Sequence, residues 1–167
     1  MSKIEIEIKS ITGSVLFKYS AKNNTIKETL ERAVTDKTDL RGADLYGMTL
    51  GDLPQDFINQ CSRDMLFIFE HLKPELPFLK EKLLAGEVDG SQYEGECACL
   101  IGTLAKKKGN GDGLEKVCAA IPFYEKGTHN AGEQWFLHIH AGDTPENNEF
   151  AKHALKLIDL VLDPTAR

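Results

Sequence analysis

An α+β fold is predicted by two changes of hydrophobic period along the chain. Apolar and charged residues alternate at Lys3–Lys9, a second β-rich run follows at Val15–Tyr19, and helical spacing takes over from Pro54 to Leu162. The change near residue 55 separates an N-terminal part, residues 1–55, from a mainly helical part, residues 56–167. A length of 167 residues suits one compact domain or a small appendage on a slightly larger one. With 41% hydrophobic and 28% charged residues, the composition is that of a folded globular protein and not of a disordered chain, collagen or a coiled coil.

In Lys3-Ile4-Glu5-Ile6-Glu7-Ile8-Lys9 the period of two places the isoleucines on one face of a half-buried strand. Thr12-Gly13 breaks the run before Val15-Leu16-Phe17-Lys18-Tyr19, and this short Gly-containing connection reads as a hairpin. A lone hairpin is marginal in water, so its apolar face needs a cover. Thr25–Val34 supplies one: Ile26, Leu30, Ala33 and Val34 share a helical face, with Asn24 or Thr25 as the N-cap.

Leucines then recur every five residues at Leu40, Leu45 and Leu50, each with a small or apolar residue nearby, and Leu53 follows. This resembles the pentapeptide-repeat pattern, in which each unit forms one side of a square β-solenoid and points its Leu inward. Only about 15 residues carry it, and a solenoid buries its apolar face only when several coils stack. The expectation is therefore a turn-rich connection whose leucines enter a neighbouring core.

From Pro54 the apolar positions Ile58, Cys61, Met65, Ile68 and Leu72 follow helical spacing, with Phe57, Leu66 and Phe69 widening the stripe of a largely buried helix. Pro74–Pro77 restarts the chain, and Phe78, Leu79, Leu83 and Leu84 form a shorter helix ended by Gly86. A loop at 89–95 leads into a small-residue helix from Cys97 to Ala105, whose C-terminal lysines, Lys106–Lys108, complement the helix dipole. Gly109–Gly113 is a flexible loop that lacks the further acidic ligands of a calcium site. A short helix, Leu114–Ala120, and a polar loop through Gly127-Thr128-His129-Asn130 come next. The stretch 132–140 fits both a strand (Trp135, Leu137, Ile139) and a helix (Trp135 with Ile139), and helix is the reading taken. Asp143-Thr144-Pro145-Glu146 predicts a helix start with Thr144 as N-cap, after which Phe150, Ala154, Leu157, Ile158, Val161 and Leu162 stripe one face.

The 20 Lys+Arg and 26 Asp+Glu give a net charge of −6, opposite to the footprint of a protein that wraps nucleic-acid phosphates. Residues 1–55 are neutral, with eight basic and eight acidic side chains, so residues 56–167 carry the whole excess. Glu94, Glu96, Asp112, Glu115, Glu125 and Glu133 are the candidate partner-binding residues of that acidic part. No apolar stretch approaches the roughly 20 residues of a membrane span, and the polar start lacks a signal-peptide apolar region. The expectation is a cytoplasmic protein with no membrane and no direct nucleic-acid partner, whose cysteines, Cys61, Cys97, Cys99 and Cys118, are reduced thiols.

Two constellations suggest chemistry. Cys97-x-Cys99 with His138-x-His140 has the ligand types of a structural zinc site, but residues two apart on a helix point about 200° apart, so the pairs chelate only if both stretches are strands. Cys97 or Cys99 at a helix N-terminus, with His129, His138 or His140 as base, would make a thiolate nucleophile. Packed structural cysteines, surface histidines and a core Trp135 explain the same residues without catalysis or a metal, and no cofactor is expected. Neither a phosphate-binding glycine loop nor a serine-nucleophile elbow is present in the sequence.

The Ile-rich hairpin, the Ala43-Asp44-Leu45-Tyr46-Gly47 unit and the block Tyr93-Glu94-Gly95-Glu96-Cys97-Ala98-Cys99-Leu100-Ile101-Gly102-Thr103 resemble a group of uncharacterised phage and prophage proteins. Trp135-Phe136 and Gly142-Asp143-Thr144-Pro145-Glu146-Asn147 extend the likeness over most of the chain, whereas His138 and His140 lie outside the pattern. The resemblance carries no established activity. It implies a phage origin, expression in a bacterial cytoplasm, and inhibition of host defence or regulation of the anti-CRISPR kind. The expected function is thus a non-catalytic binding protein that occludes the nucleic-acid-binding surface of a host protein or protein–nucleic-acid complex. The alternatives are a cysteine-dependent enzyme using Cys97 or Cys99, and an accessory module or homodimer that associates through the hairpin edge.

Overall fold

The computed structural model describes residues 2–10, 12–40, 42–45, 47–90, 100–107, 113–122 and 131–165. Among these, a two-stranded antiparallel sheet, β1 (Ile4–Lys9) and β2 (Val15–Ala21), precedes the helices α1 (Ile26–Thr35), α2 (Gln55–His71), α3 (Leu76–Leu84), α4 (Leu100–Lys107), α5 (Gly113–Ala120), α6 (Ala131–Phe136) and α7 (Glu149–Leu162). This is the α+β class. The chain forms two compact units, Met1–Gln60 and Cys61–Arg167, with the division inside α2.

In the first unit, Ile4, Ile6 and Ile8 pair with Ala21, Tyr19 and Phe17, so the period of two in β1 becomes one apolar face. Ile8 is 2% exposed, and Leu30 and Ala33 of α1 are fully buried. The opposite face carries Glu5, Glu7 and Lys18, with the Lys18 ammonium 2.8 Å from Glu5 and 3.4 Å from Glu7. Thr25 caps α1 through a capping box: its Oγ1 accepts from the Glu28 amide and its own amide donates to the Glu28 carboxylate. Asn24 is not the cap. It is buried and its Nδ2 donates to the Tyr19 carbonyl and to Thr29 Oγ1, tying β2 to α1.

The leucine repeat becomes a ladder of turns. Ala43 N–H donates to Leu40 O, Met48 N–H to Leu45 O and Leu53 N–H to Leu50 O, three turns in a register of five residues. Gly42 and Gly47 occupy the third position of the first two with φ of +73° and +77°, a conformation strained for any residue with a Cβ. The third turn has Asp52 there and tightens into a short 3-10 segment, Leu50–Asp52, whose carboxylate bonds the Thr49 amide and hydroxyl. Leu40, Ala43, Leu45 and Leu53 are buried, while Leu50 is half-buried. The ladder joins the sheet where Asp44 N–H donates to Lys9 O at 2.7 Å and Ser10 bridges to Ala43.

In the second unit, Cys61, Met65, Ile68 and Phe69 form the buried stripe of α2, which buried Leu72 extends one residue past its end, with Leu66 half-buried at its border and Phe67 exposed. Leu76, Leu79 and Leu83 bury one face of α3, which closes in a Schellman motif: Gly86 N–H to Leu83 O and Glu87 N–H to Lys82 O. Leu84, expected on the apolar face, is 52% exposed. Gly90 N–H donates to Ile139 O at 2.7 Å, and a Cβ there would lie 1.7 Å from Phe136 O, so only glycine permits this backbone crossing.

Two expectations for the C-terminal stretch change. The helix expected over 132–140 stops at Phe136, because Leu137, His138 and Ile139 donate to the carbonyls three residues back and wind out through turns. The helix expected from Thr144 starts at Glu149: Asp143–Asn147 forms a turn, and the N-cap is Asn148, whose Oδ1 accepts from the Phe150 and Ala151 amides at 2.9 Å each. Asn148 displaces Thr144 because its Nδ2 also donates to His138 O at 2.9 Å and Asp143 Oδ2 at 2.8 Å, two bonds that the single hydroxyl donor of a threonine cannot both make. Replacing Asn148→Ala is therefore expected to lower stability by about 2 kcal/mol in urea unfolding, a lost cap plus exposed partners. Thr144→Ala is expected to stay within about 0.5 kcal/mol, and equal effects would assign the cap wrongly.

Candidate functional site

Three helices of the second unit converge on one polar and aromatic cluster. α2 supplies Ser62 and Asp64, α6 supplies Trp135, and α7 supplies Phe150 and His153. Asp64 accepts the Gly132 amide at 2.8 Å, a carboxylate from one helix satisfying an orphan N–H in the first turn of another. Trp135 is 1% exposed and its Nε1 donates to the Phe150 carbonyl at 3.0 Å. Its ring meets Phe150 edge-on, with centroids 4.9 Å apart, and lies 4.7 Å from His153. His138, buried at 8% exposure, stacks on Phe150 with centroids 4.2 Å apart.

Ser62 Oγ lies 2.8 Å from His153 Nε2, joining α2 to α7. Burial, and then the positive charge of Lys156, hold the His153 imidazole below its ordinary pKa of 6.5, so it is neutral at pH 7. A hydroxyl beside a neutral imidazole is the beginning of a nucleophile. Ser62, however, lies inside α2, whose amides are committed to carbonyls one turn earlier, so its neighbours provide no oxyanion hole. The contact fastens two helices. Cys61, next to it, is fully buried, and that burial, together with the Asp64 charge, pushes its thiol up to about 12, which keeps it protonated and inert.

The residues singled out in the sequence fall in several places. Cys97, Cys99, Glu94, Glu96, Asp112, Glu125 and His129 lie outside the described residues. Glu115 is exposed on α5. Glu133 is buried in α6, so it does not belong to an acidic surface. His138 is a core ring and not a surface histidine, because Asn148 and Phe150 hold its carbonyl and its ring. His140 is half-buried in the following turn, its amide donating to Asp143 Oδ2 at 2.8 Å. His138 and His140 sit in a turn and not on a strand, which removes the shared face that the zinc reading required of them. Among the described residues no group of three or more His, Cys, Asp or Glu side chains is disposed to hold a metal ion.

Sequence reasoning missed Ser62, Asp64 and His153. Their one signal is position: His153 follows Phe150 by three residues, and Ser62 follows Cys61 at the border of the α2 stripe, where half-buried polar groups meet a packed neighbour. Comparison with protein-family models, with curated proteins and with solved structures finds no match.

The lowered His153 pKa fixes the sign of a pH effect. Because the fold favours the neutral ring, the unfolded chain binds more protons at mildly acid pH, and this contribution to stability is complete above about 6.5 and lost as pH falls toward the lowered folded value. Urea unfolding followed by Trp135 fluorescence is expected to show less stability at pH 5 than at pH 7. The difference should shrink in His153→Gln; an undiminished pH dependence in that variant would remove His153 from the account.

Proposed function

We propose that this chain is a non-catalytic binding protein whose acidic second unit occludes the basic nucleic-acid-binding surface of a host protein complex, a defence nuclease of the CRISPR type. One observation carries the reading: residues 61–167 hold 12 Lys+Arg against 17 Asp+Glu, a net of −5, while residues 1–60 hold 8 against 9, a net of −1. A body with that imbalance is drawn to basic channels and repelled by nucleic acid itself. The phage resemblance of the sequence points to the same class of partner. Support also comes from the described part of the second unit, where Cys61 is inert and the Ser62–His153 contact is a helix fastening. Among the described residues no helix is long and apolar enough to cross a membrane.

Binding of a target duplex by a purified CRISPR-type nuclease, measured by mobility shift with and without the chain, tests this. Added chain is expected to reduce target binding at low salt and to lose effect as salt rises. Glu115→Lys should weaken the inhibition several-fold at low salt, because Glu115 is exposed. No interference at low salt would sink the proposal. A cysteine-dependent enzyme predicts the contrary pattern, with the effect abolished by Cys97→Ser or Cys99→Ser in a chain that still folds.

A further inference from the structure

We propose that the outer edge of β2 is a self-association surface, onto which a second copy of this chain adds its own β2 antiparallel about a two-fold axis at Tyr19. This inference is independent of the inhibitor reading and rests on the first unit alone.

The edge follows from the ladder. Ser10 N–H donates to Ser14 O, so the pair between them, Lys9 and Val15, is a widely spaced one whose backbone groups point outward, and Lys9 O is indeed taken from outside by Asp44 N–H. A bulge adds one residue to β2 between Val15 and Phe17, but β1 is unbroken, so two residues back along it the alternation gives Glu7 with Lys18, then Glu5 with Ser20. The N–H and C=O groups of Lys18 and Ser20 therefore face away from β1. Both residues are exposed, and among the described residues no strand pairs with this edge. The edge of β1 differs, because Ala43 and Asp44 of the turn ladder close its C-terminal end.

A lysine in an edge strand normally blocks strand addition. Here the Lys18 ammonium is drawn back across the sheet onto Glu5 and Glu7, which also raise its pKa, and it does not project beyond the edge. The apolar face of the hairpin is only partly covered: Ile8 is buried, Ile6, Phe17, Tyr19 and Ala21 are half-buried, and Ile4 is exposed. A second β2 in register continues that face.

Charge selects the occupant and the register. Residues 1–60 carry a net charge of only −1, so two copies pairing through this unit meet little repulsion from its own side chains. In a two-fold antiparallel pair each residue faces one whose number completes an even sum, which preserves the two faces. Centring on Lys18 would set two ammonium groups opposite one another. Centring on Tyr19 places Lys18 opposite Ser20 of the second copy and Phe17 opposite its Ala21, with the two tyrosines directly opposed in a close, non-hydrogen-bonded pair.

Sedimentation velocity of the full chain at rising concentration tests the surface, with far-UV circular dichroism to confirm that each variant folds. The expected result is a species of about twice 18.6 kDa that Tyr19→Lys abolishes. A monomer at every concentration, or a dimer unaffected by Tyr19→Lys, overturns the proposal. Cysteine cross-linking reads the register: on mild oxidation Tyr19→Cys should form covalent dimer well above the level set by the native thiols, and Ser20→Cys should not. Equal yields from the two variants, or none above the unsubstituted chain, would rule the register out.

Discussion

The arrangement of the second unit depends on one side-chain amide. Asn148 uses its oxygen for the first two free amides of α7 and its nitrogen for His138 O and Asp143 Oδ2, so both ends of the group are spent. That sets where α7 begins, and hence which residues lie one turn in. Phe150 then meets both His138 and Trp135, and His153 one turn later meets Trp135 and Ser62. Moving the start of α7 to Thr144 would break none of the hydrophobic spacing and would leave the His138 carbonyl and the Asp143 carboxylate without this partner.

A consequence of this saturation is chemical quiet. Trp135 Nε1, Asp64 and Ser62 are each engaged in joining two elements, and Cys61 is held protonated by its surroundings. Groups that in an open cleft would be nucleophile, base and acid are here the fastenings of a core.

The legible parts of the sequence are those in which local physics suffices. The alternation in Lys3–Lys9 and the apolar spacing from Ile58 to Leu72 each have a single low-energy reading, while the cap of α1 stood open between Asn24 and Thr25. The leucine repeat was legible as turns because Gly42 and Gly47 supply positive φ where the turns require it. What escaped were features decided by partners distant in sequence. Thr144-Pro145-Glu146 has the form of a helix start, and it lost to Asn148 because the His138 carbonyl ten residues earlier needed a donor. The Ser62–His153 pair spans 91 residues, a distance over which neither residue signals the other.

The turn ladder of the first unit has a further property. Its hydrogen bonds and its leucines advance together by five residues, from buried Leu40 and Leu45 to half-buried Leu50, so the segment is measured in whole units. Adding or deleting five residues returns every leucine to the inner side and every turn glycine to its corner. A change of one or two residues rotates the remaining units and drives a charged position such as Asp44 toward the core. Length variation in this connection is thus quantised, and the contact at Lys9 sets the origin from which the units are counted.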